Sequence, residues 1–259
     1  IDALSGTGKF TYTKVEDSIS GFDGVATSLV KDLAITVTGN SSKTKFEALK
    51  TKVGGSGTIT GTIVDDPSNL TTTNAGGNAT IVAKLKSGQT DLTGVNLDSK
   101  VTKIDLGGFK TAKFNIKNLT GRTIVNNAGG DYGIKDKPSE LEKADSLSII
   151  KSANKTVTVD ESGGAINYDQ LKKIIDQVGL SKVSYTKFKD NITNINKLNL
   201  ATHYKDIDVE ITDANITAKQ FTDLKTIIGS GSVKAKNVKD GIDALDSSID
   251  FEGADKVTL

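Results

Sequence analysis

Cysteine, methionine and tryptophan are missing from these 259 residues. Without cysteine there are no disulfides, no zinc–thiolate centres and no cysteine nucleophile. Histidine and arginine each occur once, as His203 and Arg122. Any Ser-His-Asp triad would have to be built on His203. That residue sits in "LATHYKDI", a loop or strand edge, and no G-x-S-x-G accompanies it. It reads as structural or surface-lying. A single arginine leaves almost no bidentate clamps for phosphate or carboxylate. Charge of either sign is not in excess, with 33 Lys+Arg against 32 Asp+Glu and no block of five like charges. Nucleic acid is therefore not an expected partner, because phosphate binding needs a basic face. No window approaches the roughly 18–20 apolar residues of a membrane span, and no signal peptide is visible. Aromatic residues make up 5% and hydrophobic residues 36%, against a usual value of about 45–50%. Core volume must come mainly from Val, Ile, Leu and Ala.

What the chain does have is a recurring pattern. Phe46-Glu47-Ala48-Leu49-Lys50 returns as Tyr168-Asp169-Gln170-Leu171-Lys172 and as Phe221-Thr222-Asp223-Leu224-Lys225. Each run leads to an apolar residue and a glycine: Val53-Gly54, Val178-Gly179 and Ile228-Gly229. From that glycine, an apolar residue lies 9 positions on (Ile63, Phe188, Val238). An aspartate lies 11 on (Asp65, Asp190, Asp240) and an aliphatic residue 16 on (Leu70, Ile195, Leu245). Gly6 with Val15, Asp17 and Phe22 obeys the same ruler, and Ile134, Asp136 and Leu141 copy its second half. Strand-like runs precede the clear helices: "AITVT" at 34–38, "TVTVD" at 156–160 and "DVEIT" at 208–212.

The spacing predicts an α+β repeat protein: an elongated, β-rich solenoid with short helices and about 48–50 residues per repeat. It reads as a single repeat-built segment over 1–259, part of a longer chain, with its clearest units near 35–70, 157–195 and 209–245. Residues 71–100 read as an insertion into one unit, either a contact face or a decorative loop. Phe46, Leu49 and Val53 fall on one helix face. Gly54 and Gly229 are expected in the left-handed helical conformation at helix ends.

Asp17, Asp65, Asp136, Asp190 and Asp240 precede apolar helix strips and read as helix caps. A calcium ladder is the alternative, although G-G-x-G-x-D is absent and "AGGDYG" at 128–133 has the wrong order. Calcium elsewhere stays open, since oxygen-rich loops such as "VDDPSN" at 64–69 can supply ligands. "SGTGKF" at 5–10 fails as a phosphate loop, since Ala3 replaces its first glycine and Phe10 its Ser/Thr. "GGSG" at 54–57 runs from helix to strand, the wrong order for a dinucleotide loop. Seven N-x-S/T triplets start at Asn40, Asn69, Asn78, Asn118, Asn154, Asn191 and Asn215, a number that a chain this rich in Asn, Ser and Thr produces unselected. No residue is nominated as catalytic or cofactor-binding, metal ligands are left open, and no cofactor is required.

The runs "ITVTGN" and "VEITDANIT", the FxxLKxxVG helices and "VKDGIDAL", with no Cys, Met or Trp, resemble bacterial surface-layer proteins and related repeat-built surface proteins. The resemblance implies export to the bacterial cell surface, self-assembly into a lattice or filament, often calcium dependence, and contact with a cell-envelope glycan. The expected function is structural and non-enzymatic. A stalk or ligand-binding solenoid of a large adhesin is the alternative.

Overall fold

The computed structural model describes residues 13–75, 78–198, 206–245 and 250–258. Alternating apolar residues in "AITVT" and "TITGTIV" call for a sheet with one buried face. The sheet that forms is parallel throughout. β1 (Lys14–Ser18), β2 (Ala34–Ser41), β3 (Thr58–Asp65), β4 (Ala79–Lys84) and β5 (Val101–Asp105) lie side by side in chain order. After β6 (Ala112–Phe114), β7 (Thr123–Val125) pairs with β5 and completes six strands. Every pair in this sheet is parallel. Ile35, Val37, Ile59, Ile63, Ile81, Ala83, Val101 and Ile104 are buried beneath it.

The chain divides into two compact units, one of Ile1–Lys113 with Lys117–Tyr132, the other of Phe114–Ile116 with Gly133–Leu259. The strands that follow are β8 (Tyr132–Asp136), β9 (Val157–Val159) and β10 (Val183–Ser184), in a sheet of order β10-β9-β8-β6. Next come β11 (Lys187–Asp190), β12 (Asp208–Ile211) and β13 (Val233–Lys234), and last the pair β14 (Val238–Lys239) and β15 (Val257–Thr258). These pairings are parallel too.

The β-rich solenoid expected from the repeat is therefore overturned. The described residues form an α/β fold of several parallel sheets with eight helices. These are α1 (Thr27–Val30), α2 (Lys43–Val53), α3 (Ile116–Leu119), α4 (Pro138–Leu141), α5 (Ala144–Ala153), α6 (Tyr168–Val178), α7 (Ile192–Lys197) and α8 (Ala218–Ile228). The physical reason lies in the connections. Parallel strands cannot be joined by a tight hairpin; they need a crossover of a dozen or more residues, usually helical. Lys14 faces Ala34, and Lys187 faces Asp208. A period of about 48–50 residues thus spans two such strand-to-strand steps. Apolar spacing marked the buried positions and left strand direction open.

The helix faces fall where the spacing put them. Phe46, Leu49 and Val53 are buried on α2, Leu171, Ile174 and Val178 on α6, and Phe221, Leu224 and Ile228 on α8. Within residues 71–100, Ala79–Lys84 form β4, held between β3 and β5, and Ile81, Leu85, Leu92 and Leu97 are buried.

The glycines that end α2 and α8 differ from expectation in one angle. Gly54 has φ 82° and ψ −174°, and Gly229 φ 72° and ψ −112°, so φ is positive but neither is left-handed helical. The left-handed cap sits instead on Asn154, which ends α5 at φ 50°, ψ 38°. An L side chain is strained at both glycines. Gly54→Val and Gly229→Val should each cost about 1–3 kcal/mol in urea unfolding. Unchanged midpoints in both would show that these helix ends do not need glycine.

Candidate functional site

The repeated aspartates do cap helices, but not the helices expected. Four of the five, Asp65, Asp136, Asp190 and Asp240, lie at strand ends, and each carboxylate reaches a helix start 20–22 positions upstream. Asp65 Oδ2 accepts from the Lys43 N–H at 2.9 Å, 22 positions upstream. Asp136 accepts from the Ile116 N–H at 3.0 Å, Asp190 from Tyr168 at 2.8 Å and Asp240 from Ala218 at 3.1 Å. In every case the donor is the first residue of a helix, namely α2, α3, α6 or α8. The second oxygen takes the N–H of the residue after the aspartate: Asp66, Lys137, Asn191 or Gly241.

The first N–H groups of a helix have no partner within it. Here two sources share them. The N-cap side chain takes the third, as Asn167 does from Gln170 and Thr217 from Gln220. The next turn's aspartate takes the first. Sequence reading missed one member, Asp213, which accepts from the Ile192 N–H at 2.6 Å and so serves α7. It lies 23 positions past Asp190, about half the repeat, a signal visible once the period is halved. Asp17 is exposed and accepts from the N–H of Ser18.

Burial would raise the Asp65 carboxyl, but hydrogen bonds from Asn69 and from the N–H groups of Lys43 and Asp66, with the Lys43 charge, bring it below the ordinary aspartate value. A lowered folded-state value stabilises above the unfolded pKa of about 4, and that stabilisation is lost as pH falls through the folded value. Asp65→Asn should therefore cost about 1–2 kcal/mol at neutral pH, because an amide cannot accept on both sides. Its deficit against the wild type should shrink below about pH 4, read as urea midpoints across pH. A deficit constant with pH would exclude the charge as the source.

Arg122 is the other organising group. Its Nε donates to the Val101 carbonyl at 3.0 Å and Nη1 to that of Lys117 at 2.7 Å. Nη2 donates to the carbonyls of Leu97 and Asp98 at 3.1 and 2.9 Å. Burial pushes its pKa down and the nearby Asp98 charge pushes it up; the net is downward. Asn118, fully buried, donates to the carbonyls of Leu92 and Val95 and accepts from the Leu97 N–H. Its N-x-T triplet is thereby closed to glycosylation in the folded chain.

The "VDDPSN" loop spends its carboxylates on protein donors: Asp65 as above, and Asp66 on Lys86. Among the described residues no group of three or more His, Asp or Glu is placed to hold a metal. His203 and the "SGTGKF" stretch lie outside the described residues. No helix among the described residues is long and apolar enough to cross a membrane. One shallow groove of about 170 Å³ lies over β11–β13, lined by Lys187, Phe188, Asp208, Glu210, Ser232 and Lys234. Pockets for drug-sized ligands run to about 300–1,000 Å³. Its acids are already engaged, Asp208 by the Ser232 N–H and hydroxyl and Glu210 by Lys189. The Ser232 hydrogen bonds hold the Asp208 carboxyl below its ordinary value.

Compared with protein-family profiles, with curated proteins and with solved structures, the chain matches none.

Proposed function

We propose that this chain is a structural, self-assembling segment of a surface-layer-type protein on the outside of a bacterial cell, working without turnover of a substrate. The observation that carries this reading is the use made of the polar groups. The repeated carboxylates, the single arginine and the buried Asn118 all bind backbone N–H or C=O groups of neighbouring turns. Such a chain invests its chemistry in holding shape. Its near-zero net charge also leaves little long-range repulsion to oppose lateral packing of copies. In this reading the partners are other copies and a cell-envelope glycan, with calcium bridging exposed carboxylates between molecules.

The adhesin reading has one observation in its favour, the groove over β11–β13, whose mixed charges suit a small polar ligand. Electron microscopy and light scattering of the purified chain, with millimolar calcium and with chelator, separate the two. Sheets or filaments support assembly. A monomer under both conditions that binds a defined glycan would move the assignment to the adhesin.

A further inference from the structure

The chain contains two prolines, and only Pro67 follows an aspartate. The Asp66–Pro67 link is a tertiary amide whose nitrogen bears no hydrogen. Such a nitrogen, once protonated, leaves more readily than an ordinary amide nitrogen, and the aspartate β-carboxylate can close a five-membered ring onto its own carbonyl carbon. Three features surround this bond. The Asp66 carboxylate is paired with the Lys86 ammonium from the loop after β4. The Asp66 carbonyl oxygen accepts from the Asn69 N–H at 3.0 Å, the turn hydrogen bond that fixes the orientation of this carbonyl. Asp65 is held by Lys43, Asp66 and Asn69, so it does not compete for Lys86. The register fixes the two loops beside each other: Asp65 faces Ala83 across β3 and β4, and Gln89 Nε2 reaches Ser68 Oγ at 3.4 Å.

We propose that Asp66–Pro67 is a self-processing bond and that Lys86 is the group that accepts the severed aspartate. The β-carboxylate attacks the Asp66 carbonyl carbon. The C–N bond to Pro67 breaks, and the prolyl nitrogen takes a proton from the Lys86 ammonium. A cyclic aspartic anhydride and a neutral Lys86 amine result. The amine, already in contact, attacks the β-carbonyl carbon of the anhydride and the α-carboxylate leaves. The proton released from Nζ ends on the Pro67 amine, which becomes a charged secondary ammonium. One amide is lost and one is formed, one cation and one anion persist, and no co-reactant enters. The pairing of amine and carboxylate within one folded chain supplies the proximity such a transfer needs. The product is a branched chain with a free amino terminus at Pro67 and an Asp66–Lys86 isopeptide tying the loops after β3 and β4.

The test is peptide mapping by mass spectrometry of the purified full chain, held folded or in urea across a pH series from mildly acidic to neutral. The expected result is a branched peptide joining Asp66 to Lys86, with a new Pro67 terminus, formed in the folded chain and lost in urea. Lys86→Arg should keep the ion pair yet give only plain hydrolysis at Asp66–Pro67, with no branched peptide. Pro67→Ala should leave the backbone whole. Circular dichroism confirms that both variants are folded. No branched peptide from the folded wild type at any pH, plain hydrolysis alone, or equal yield in urea would each overturn the proposal.

Discussion

Arg122→Lys should lower the unfolding free energy by about 3 kcal/mol, more than any ordinary surface Arg-to-Lys exchange. The arginine serves four backbone carbonyls: Leu97, Asp98, Val101 and Lys117. Leu97 and Asp98 lead into β5, Val101 is its first residue, and Lys117 is in α3. A guanidinium presents five donors in one plane and spans such a set; an ammonium is a compact point with three. Lysine would keep the charge and lose most of the geometry, leaving carbonyls with poor partners. Hydrogen bonds from charged donors contribute about 1.5–3 kcal/mol each, less when several share one group. The measurement is the urea midpoint with the slope held constant. A loss under about 1 kcal/mol would mean that water replaces the guanidinium at these carbonyls. Asp98 shares this segment. Burial raises its carboxyl, but hydrogen bonds from the Lys100 and Thr73 N–H groups and the Lys100 charge bring it below its ordinary value.

Much of the core was legible in the spacing. Ile63, Phe188 and Val238, each 9 positions past a helix-ending glycine, are fully buried, as are Leu70 and Ile195 at 16 positions. A repeated packing position shows itself because burial constrains residue type in every copy. Strand direction does not, because alternation reports only that one face of a strand is buried, whichever way its neighbour runs. The aspartates were found as a pattern and assigned to the wrong helix for a related reason. Their partner lies in the preceding turn, and only the pairing of strands brings it close. Arg122 and Asn118 occur at single points outside the pattern. Their partners are main-chain carbonyls, which leave no trace in residue identity.

The last glycine of "GGSG" at 54–57 and its counterpart Gly231, which ends "GSG" at 229–231, carry the largest expected effects of all. A Cβ on Gly231 would drive into the carbonyl of Ile207 and meet the Ile228 side chain at 2.5 Å. Gly57 stands in the same relation to the Leu33 carbonyl, at 2.7 Å, and to the side chain of Val53. In both, the chain has just left a long helix and begins its strand against the backbone one turn upstream. Backbone cannot swing aside as a side-chain tip can. Gly231→Ala would have to part β13 from β12, where the Val209 N–H donates to the Ser232 carbonyl at 2.8 Å. Its expected cost is about 3 kcal/mol or more, at the upper end of overpacking, with Gly57→Ala somewhat smaller. Gly55 is the internal control: a Cβ there meets nothing within 4 Å. Gly55→Ala should be neutral or stabilising by about 0.4–1 kcal/mol, through a less flexible unfolded chain. Thermal and urea unfolding of the three variants side by side check the ordering. If Gly231→Ala unfolds at the same urea concentration as Gly55→Ala, the turns do not approach each other as closely as these contacts require.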